Sequence, residues 1–559
     1  MKKPKNGGGR PTTTRSKRTQ KTASKPTDLI FDVPPELWAI IASFTSRPAL
    51  AQLCSVSRRF YSTFSIHLYA NTIAPPLTPD QSARLIETLG NARSLPWKSH
   101  PATLIRQLGI TSTGCWNQKP SLTSSLALKN MYALIPLCER TRGSSLRVLH
   151  WHLEASLDDL GKILGVPGHF PNLKELEVSS TGVNRNFNFV QVRGLEVLGI
   201  KFSRNDELIG VETADKMCYK LAEALQMLPT SSPLLHTLRL NIKIPFNYED
   251  DFPWEGYSDL VASINLIHLP VLTALDLSVN LNQDDGEIDA SHLGDFAPSP
   301  DFSPFLSCHP NLLDLMLSAP DTKLTEDVAL PQLRSFHGSF DQAVTICSPQ
   351  RQLNKLVIAL IHPFFSFELP AFRTLPISTH LSLTTLRVSA LDTIGDTVKA
   401  RNELSPASFS QLISSFPNLV HLDFCISRQI TEYYKDLILL TKLQTLRVEE
   451  YRINRYKSSR WRVTKIFPHT DYISAFGLFL PFLPQLASIQ ISLLADNLEL
   501  EEDSWSYSEV QVQPAAWEDV VFDDWTYEML LFNRPKMRVD YNFHVSPERN
   551  VALENAHVF

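Results

Sequence analysis

The sequence predicts an α/β fold in two unequal parts: a short set of three helices near the N-terminus, then a long irregular solenoid of repeated strand and helix units. Three observations carry that reading. A six-residue apolar pattern recurs thirteen times, prolines sit at a fixed place before many of its copies, and a separate block of helix-period apolar residues precedes them all. Length agrees, because 559 residues exceed what one compact core accommodates, whereas a repeat array grows in one dimension.

Residues 1–27 carry nine Lys or Arg, no acid and almost no large apolar side chain, so they cannot offset the entropy of ordering and are expected to be a disordered basic tail. The run Arg15-Ser16-Lys17-Arg18 reads as a nuclear address, a weak phosphate-binding arm or a plain solvated tail.

At Asp28 the composition changes. Leu37, Ile40, Ile41 and Phe44 follow the i, i+3, i+4, i+7 spacing of one helix face, and Pro34 and Pro35 suit the entry to that helix. Ser46-Arg47-Pro48 breaks it, and Leu50, Leu53, Val56, Phe60 and Phe64 supply a second apolar set. A unit of this size, residues 28–72, has too little interior to be secure alone, so its surplus apolar surface should pack on the next domain or on a partner. The order Val33-Pro34, Glu36-Leu37, Ile40-Ile41, Phe44, Leu50, Leu53 and Val56-Ser57-Arg58-Arg59-Phe60 resembles the F-box family, departing from its Leu-Pro start only at Val33. The resemblance covers Asp28 to Tyr69, and the alternative is a helical hairpin that caps the solenoid.

Residues 73–495 hold the repeat, Leu-x-x-Leu-x-(Leu, Ile or Val). It runs from Ile105-Leu108-Ile110 through copies such as Leu235-Leu238-Leu240 and Leu419-Leu422-Phe424 to Leu486-Ile489-Ile491, with weaker copies at Leu146-Leu149-Trp151 and Leu333-Phe336-Gly338. The last two apolar positions alternate with polar ones, as in a strand with one buried face. In seven copies a proline (Pro171, Pro233, Pro270, Pro310, Pro331, Pro417 or Pro484) stands two residues before the first apolar position, which ends a preceding helix and releases the strand. Helix-period residues such as Leu221, Ala224, Leu225 and Leu228, or Phe409, Leu412, Ile413 and Phe416, lie ahead of such breaks. This resembles the leucine-rich repeat, with parallel strands on a concave face and helices and loops on a convex one, and the pairing resembles F-box and leucine-rich-repeat proteins of fungi and other eukaryotes. The spacing is irregular, at 20 to 43 residues, and the Asn expected eight residues after the first Leu occurs only as Asn280.

The residue between the last two apolar positions faces away from the core. In order, that column reads Gly109, His150, Glu177, Gly199, Arg239, Asp276, Met316, His337, Val357, Arg387, Asp423, Arg447 and Gln490. Neighbouring strands lie about 4.8 Å apart, so Arg239 with Asp276, and Arg387 with Asp423 and Arg447, are expected to form cross-strand charge ladders. Alternatively, Arg387 and Arg447 leave one net positive charge for an acidic or phosphorylated target. Arg239, His337, Arg387, Asp423 and Arg447 are the candidate substrate-binding residues. His150 and His152 share a strand face, but no third converging ligand is visible in the sequence, so neither a metal nor a cofactor is expected.

The region 496–559 differs, with ten acids and no Lys or Arg from Asp496 to Asp524, interleaved with Trp505, Trp517 and Phe522. It reads as a cap on the solenoid end or as a mobile acidic-aromatic tail. Beyond the basic tail the chain holds 44 basic against 58 acidic residues, which argues against a nucleic-acid-binding body. Seven scattered cysteines make no disulfide framework, and no apolar run spans a membrane, which suggests an intracellular protein of cytoplasm or nucleus. There is no phosphate loop, dinucleotide fingerprint, zinc-protease helix, nucleophile elbow or C-x-x-C, so no catalytic residue is expected.

The family resemblance implies a non-catalytic substrate receptor of a Skp-cullin-F-box ubiquitin ligase. Pro34, Leu37, Ile40, Ile41, Phe44, Leu50, Leu53 and Val56 would bind the Skp adaptor and through it cullin, while the repeats bind a protein substrate. The alternative is a leucine-rich-repeat scaffold or interaction protein with no ligase role.

Overall fold

The computed structural model describes residues 34–91, 101–111, 146–152, 170–180, 187–202, 211–246, 254–283, 300–317, 328–346, 353–360, 377–390, 406–426, 430–452, 480–495, 520–531 and 535–545, with a few isolated positions between them. The basic tail, Val33 and the acidic stretch 496–519 lie outside the described residues. The chain divides into two compact units after Ala70.

The first unit contains three helices, α1 (Pro35–Ser43), α2 (Arg47–Val56) and α3 (Arg58–Ala70). Pro35 and Pro48 occupy the first turns of α1 and α2, where a missing amide donor costs nothing. Ser57 caps α3, its Oγ accepting a hydrogen bond from the Phe60 amide at 3.1 Å. Ala42, Leu50 and Phe64 form the core, with Trp38, Leu53, Cys54, Phe60 and Leu68 packed against it. The Trp38 ring meets Phe60 and Phe64 edge-on at 6.1 and 5.4 Å, and those two rings stack at 5.7 Å.

The second unit is built on one sheet of sixteen strands among the described residues. They are β1 (Asn71–Leu77), β2 (Gln107–Thr111), β3 (Val148–His152), β4 (Glu175–Ser180), β5 (Val197–Phe202), β6 (Thr237–Phe246), β7 (Ala274–Gln283) and β8 (Asp314–Leu317). There follow β9 (Ser335–Gly338), β10 (Lys355–Leu360), β11 (Thr385–Ala390), β12 (His421–Ile426), β13 (Thr445–Arg452), β14 (Ser488–Ala495), β15 (Val520–Leu531) and β16 (Pro535–Val545). From β1 to β14 the strands lie side by side in sequence order, and every adjacent pair is parallel. This is a solenoid-like α/β arrangement in which each strand is laid beside its predecessor.

Each of the thirteen sequence copies coincides with one strand from β2 to β14, and all their large apolar residues are at most 3% exposed. The side chains between them alternate outward, as in β3 and β4. Helices cover the buried face: Phe409, in the helix Pro406–Ser415, stacks on Phe424 of β12 at 4.6 Å, and Tyr257, in Trp254–Leu266, donates to the Val279 carbonyl of β7 at 3.3 Å.

The prolines do more than stop helices. At Pro171, Pro233, Pro270, Pro310, Pro331 and Pro484 the residue before proline accepts a hydrogen bond from the amide of the first repeat Leu, closing a four-residue turn with proline in its second position. A carbonyl ladder then joins successive copies: the amides of Glu196 and Val197 both bond to Lys174 O, those of His236 and Thr237 to Glu196 O, and those of Thr273 and Ala274 to His236 O. This ladder satisfies backbone groups that the sequence, lacking a column of Asn, left without an evident partner.

Two features exceed the repeat count. β1 precedes the first copy and pairs with β2, and the C-terminal region contributes β15 and β16 as an antiparallel hairpin, with β16 pairing antiparallel to β14. The sheet therefore ends in a reversal of strand direction. Among the described residues no helix is long and apolar enough to cross a membrane.

Candidate functional site

Two surfaces merit chemical description: the outer face of α1 and the open face of the sheet. On α1, Trp38 and Ala42 turn inward to the three-helix core, which directs Leu37, Ile40, Ile41 and Phe44 outward. Their exposures are 48%, 53%, 44% and 88%, and Val56 at the end of α2 is 67% exposed. Together these open apolar side chains form an exposed apolar face on the first unit. Pro34, just before α1, is also exposed. Leu50 and Leu53 face the core: Leu50 is 4% exposed within it, and the half-buried Leu53 packs against it. The sequence pattern grouped them with the exposed residues because periodicity finds an apolar face without telling which face is covered.

On the open face of the sheet, strand pairing sets the column predicted from the repeat in unbroken register from Gly109 to Gln490. Asp423 lies between Arg387 and Arg447, with its Oδ2 3.1 Å from Arg387 Nε and 3.9 Å from Arg447 Nε. Two guanidinium groups on one carboxylate leave the trio with a single net positive charge.

Arg239 departs from expectation. It pairs with Glu177 two strands away, across β5, and not with Asp276 on the next strand. The intervening column position is Gly199, where no side chain obstructs the reach; a Cβ there would stand 3.1 Å from Glu177 Cγ. Asp276 is left with a buried Oδ1 that lacks a hydrogen bond, and burial holds its carboxyl above the ordinary aspartate range despite the counteracting charge of Arg239.

Asp276 and His337 line a groove of about 350 Å³ that runs across β6 to β10, with Met316, Val357, Asp314 and Lys355. Burial, and then the charges of Arg387 and Lys355, push the His337 imidazole down to about 4, which makes it a neutral donor and acceptor at pH 7. The groove thus holds two cations, Arg239 and Lys355, a neutral imidazole and two carboxyl groups beside apolar surface.

The third cluster was only half visible in the sequence. His150 Nε2 lies 3.1 Å from Glu175 Oε1, and His150 Nδ1 lies 3.6 Å from Glu177 Oε2. His152 packs edge-on to His150, with ring centroids 5.8 Å apart. The hydrogen bond from His150 holds Glu175 below the usual glutamate range, and burial lowers His152. The expectation that the two histidines lack a further converging ligand does not hold: Glu177, paired in register with His150 on the adjacent strand, supplies it. The signal was present in the column order, in which Glu177 directly follows His150.

No family model matches this sequence, and no curated protein matches it at a significant level. The class that fold and surfaces define is therefore structural: a parallel α/β, solenoid-like chain with an apolar helical face in one unit and a mixed-charge sheet face in the other.

Proposed function

We propose that this chain is the substrate-recognition subunit of a Skp-cullin-F-box ubiquitin ligase, working in the cytoplasm or nucleus. Its three N-terminal helices serve as the F-box, and the thirteen repeats serve as leucine-rich repeats that hold a protein target on the open sheet face. The observation that carries the reading is the exposed run Leu37, Ile40, Ile41 and Phe44, in a unit whose core is already formed by Ala42, Leu50 and Phe64. Pro34 and Val56 extend the adaptor surface, and Leu50, Leu53 and Phe64 support it from behind.

Such a receptor makes and breaks no bond. It contributes proximity, raising the effective concentration of a target lysine beside the ubiquitin-charged enzyme. The groove lined by Asp276, His337 and Lys355 and the Arg387-Asp423-Arg447 trio offer polar anchors for that target.

The test is co-purification of the full chain with a Skp adaptor, alongside a Leu37→Asp variant shown by circular dichroism to be folded. Stoichiometric binding that the charge abolishes supports the reading. Absence of binding by the wild type removes the ligase role and leaves a non-catalytic repeat scaffold.

A further inference from the structure

The cluster formed by His150, His152 and Glu177 has no part in the adaptor reading, and its donor set is that of a metal centre. Two imidazoles at i and i+2 leave β3 on the same side, and one carboxylate comes from β4 at the register of His150. One ligand atom from each of the three lies within 4.8 Å of the others, and His150 Nδ1 and Glu177 Oε2 are 3.6 Å apart. Two ligands bonded to a tetrahedral zinc ion at about 2.1 Å stand about 3.4 Å apart. That pair already approximates the spacing, and turning the His152 side chain closes the remainder.

We propose that His150, His152 and Glu177 bind a divalent transition-metal ion of the zinc class, leaving a fourth coordination position directed out of the open sheet face. Three further features favour the assignment. Glu175 accepts from His150 Nε2 at 3.1 Å, which fixes the tautomer with its lone pair on Nδ1, the nitrogen that faces Glu177. A carboxylate on the far nitrogen of a ligating histidine is the usual outer support of such a site. Gly109 and Gly199 flank His150 and Glu177 in the column, so no side chain stands at either neighbouring column position.

Glu175 and Glu177 bring two negative charges to the site, beside the cations Arg239, paired with Glu177, and Lys201, whose charge acts on His152. Arg239 holds Glu177 through Oε1, which leaves Oε2 for the metal. Two imidazoles beside one carboxylate suit zinc, cobalt and nickel better than calcium or magnesium, which take all-oxygen ligand sets. Water fills the fourth position in the free protein.

The test uses the full chain, stripped with chelator and titrated with Co²⁺ as a spectroscopic probe, beside His152→Ala, Glu177→Gln and, as a control elsewhere on the sheet face, His421→Ala. The expected result is one equivalent of tightly held cobalt with intense visible bands of four-coordinate geometry, displaced by Zn²⁺, kept by His421→Ala and lost in the other two variants. Glu175→Gln should weaken binding about 10–100-fold by removing the outer support. Melting in chelator checks folding; should His152→Ala melt early, the near-isosteric Glu177→Gln decides alone. A wild type that retains no cobalt after gel filtration, or a folded Glu177→Gln that binds it as the wild type does, overturns the proposal.

Discussion

Gly338→Val restores an aliphatic residue to a column filled by bulky apolar residues in the other copies, yet it should destabilise the protein. A Cβ at Gly338 would stand 2.5 Å from Phe336 Cζ and 2.6 Å from Gln342 Oε1. Neither neighbour can withdraw cheaply. Phe336 is fully buried, and Gln342, 3% exposed, is tied at both ends: Oε1 accepts from the Ser339 amide at 2.9 Å, and Nε2 donates to the Thr322 carbonyl at 3.1 Å. Overpacking costs about 1–3 kcal/mol, and each hydrogen bond strained or broken adds about 1 kcal/mol, so the total is about 2–4 kcal/mol. Urea unfolding followed by circular dichroism measures it, as a lower midpoint with unchanged slope. Phe336→Leu should recover most of the loss in the double variant, because it removes the ring atoms that meet the new side chain. A single variant as stable as wild type, or a double variant no better than the single, would refute the argument that Phe336 occupies the volume Gly338 vacates.

Three further outcomes are expected. Phe44→Ala should leave the melting curve unchanged while weakening adaptor binding about 10–100-fold, since burying one such side chain is worth about 1.5–3 kcal/mol, and Leu50→Ala should instead lower stability by about 2–5 kcal/mol. His337 has a folded-state pKa of about 4, below its ordinary 6.5, so the folded state binds fewer protons; its contribution is complete above pH 6.5, is lost as the pH falls toward 4, and should vanish from the stability profile of His337→Gln. Asp276 is shifted the other way, its folded pKa lying above the ordinary 3.8, so its contribution is present at lower pH and is lost as the pH rises through the folded value; Asp276→Asn should therefore gain on the wild type with rising pH in urea midpoints measured across the acid range.

The repeat was legible in the sequence because its signal is local and redundant. A strand with one covered face must alternate, a turn with proline in its second position must place that proline just ahead, and thirteen copies repeat both constraints. Register followed from the same pattern: since equivalent positions of parallel copies stack, the outward column could be written down residue by residue, and Arg387, Asp423 and Arg447 meet as that column implies. What the sequence could not decide was where long side chains go once they leave the backbone. Arg239 had an acid on the next strand and reached past a glycine to Glu177, because reach and free volume, not adjacency, select the partner. The two faces of an amphipathic helix pattern were likewise equivalent on paper, and only packing against Phe64 and Trp38 turned Leu50 inward and left Phe44 outside. The convergence of His150, His152 and Glu177 belongs to the same order of fact: three residues spread over 28 positions of sequence, brought within coordination range because parallel pairing sets β3 beside β4.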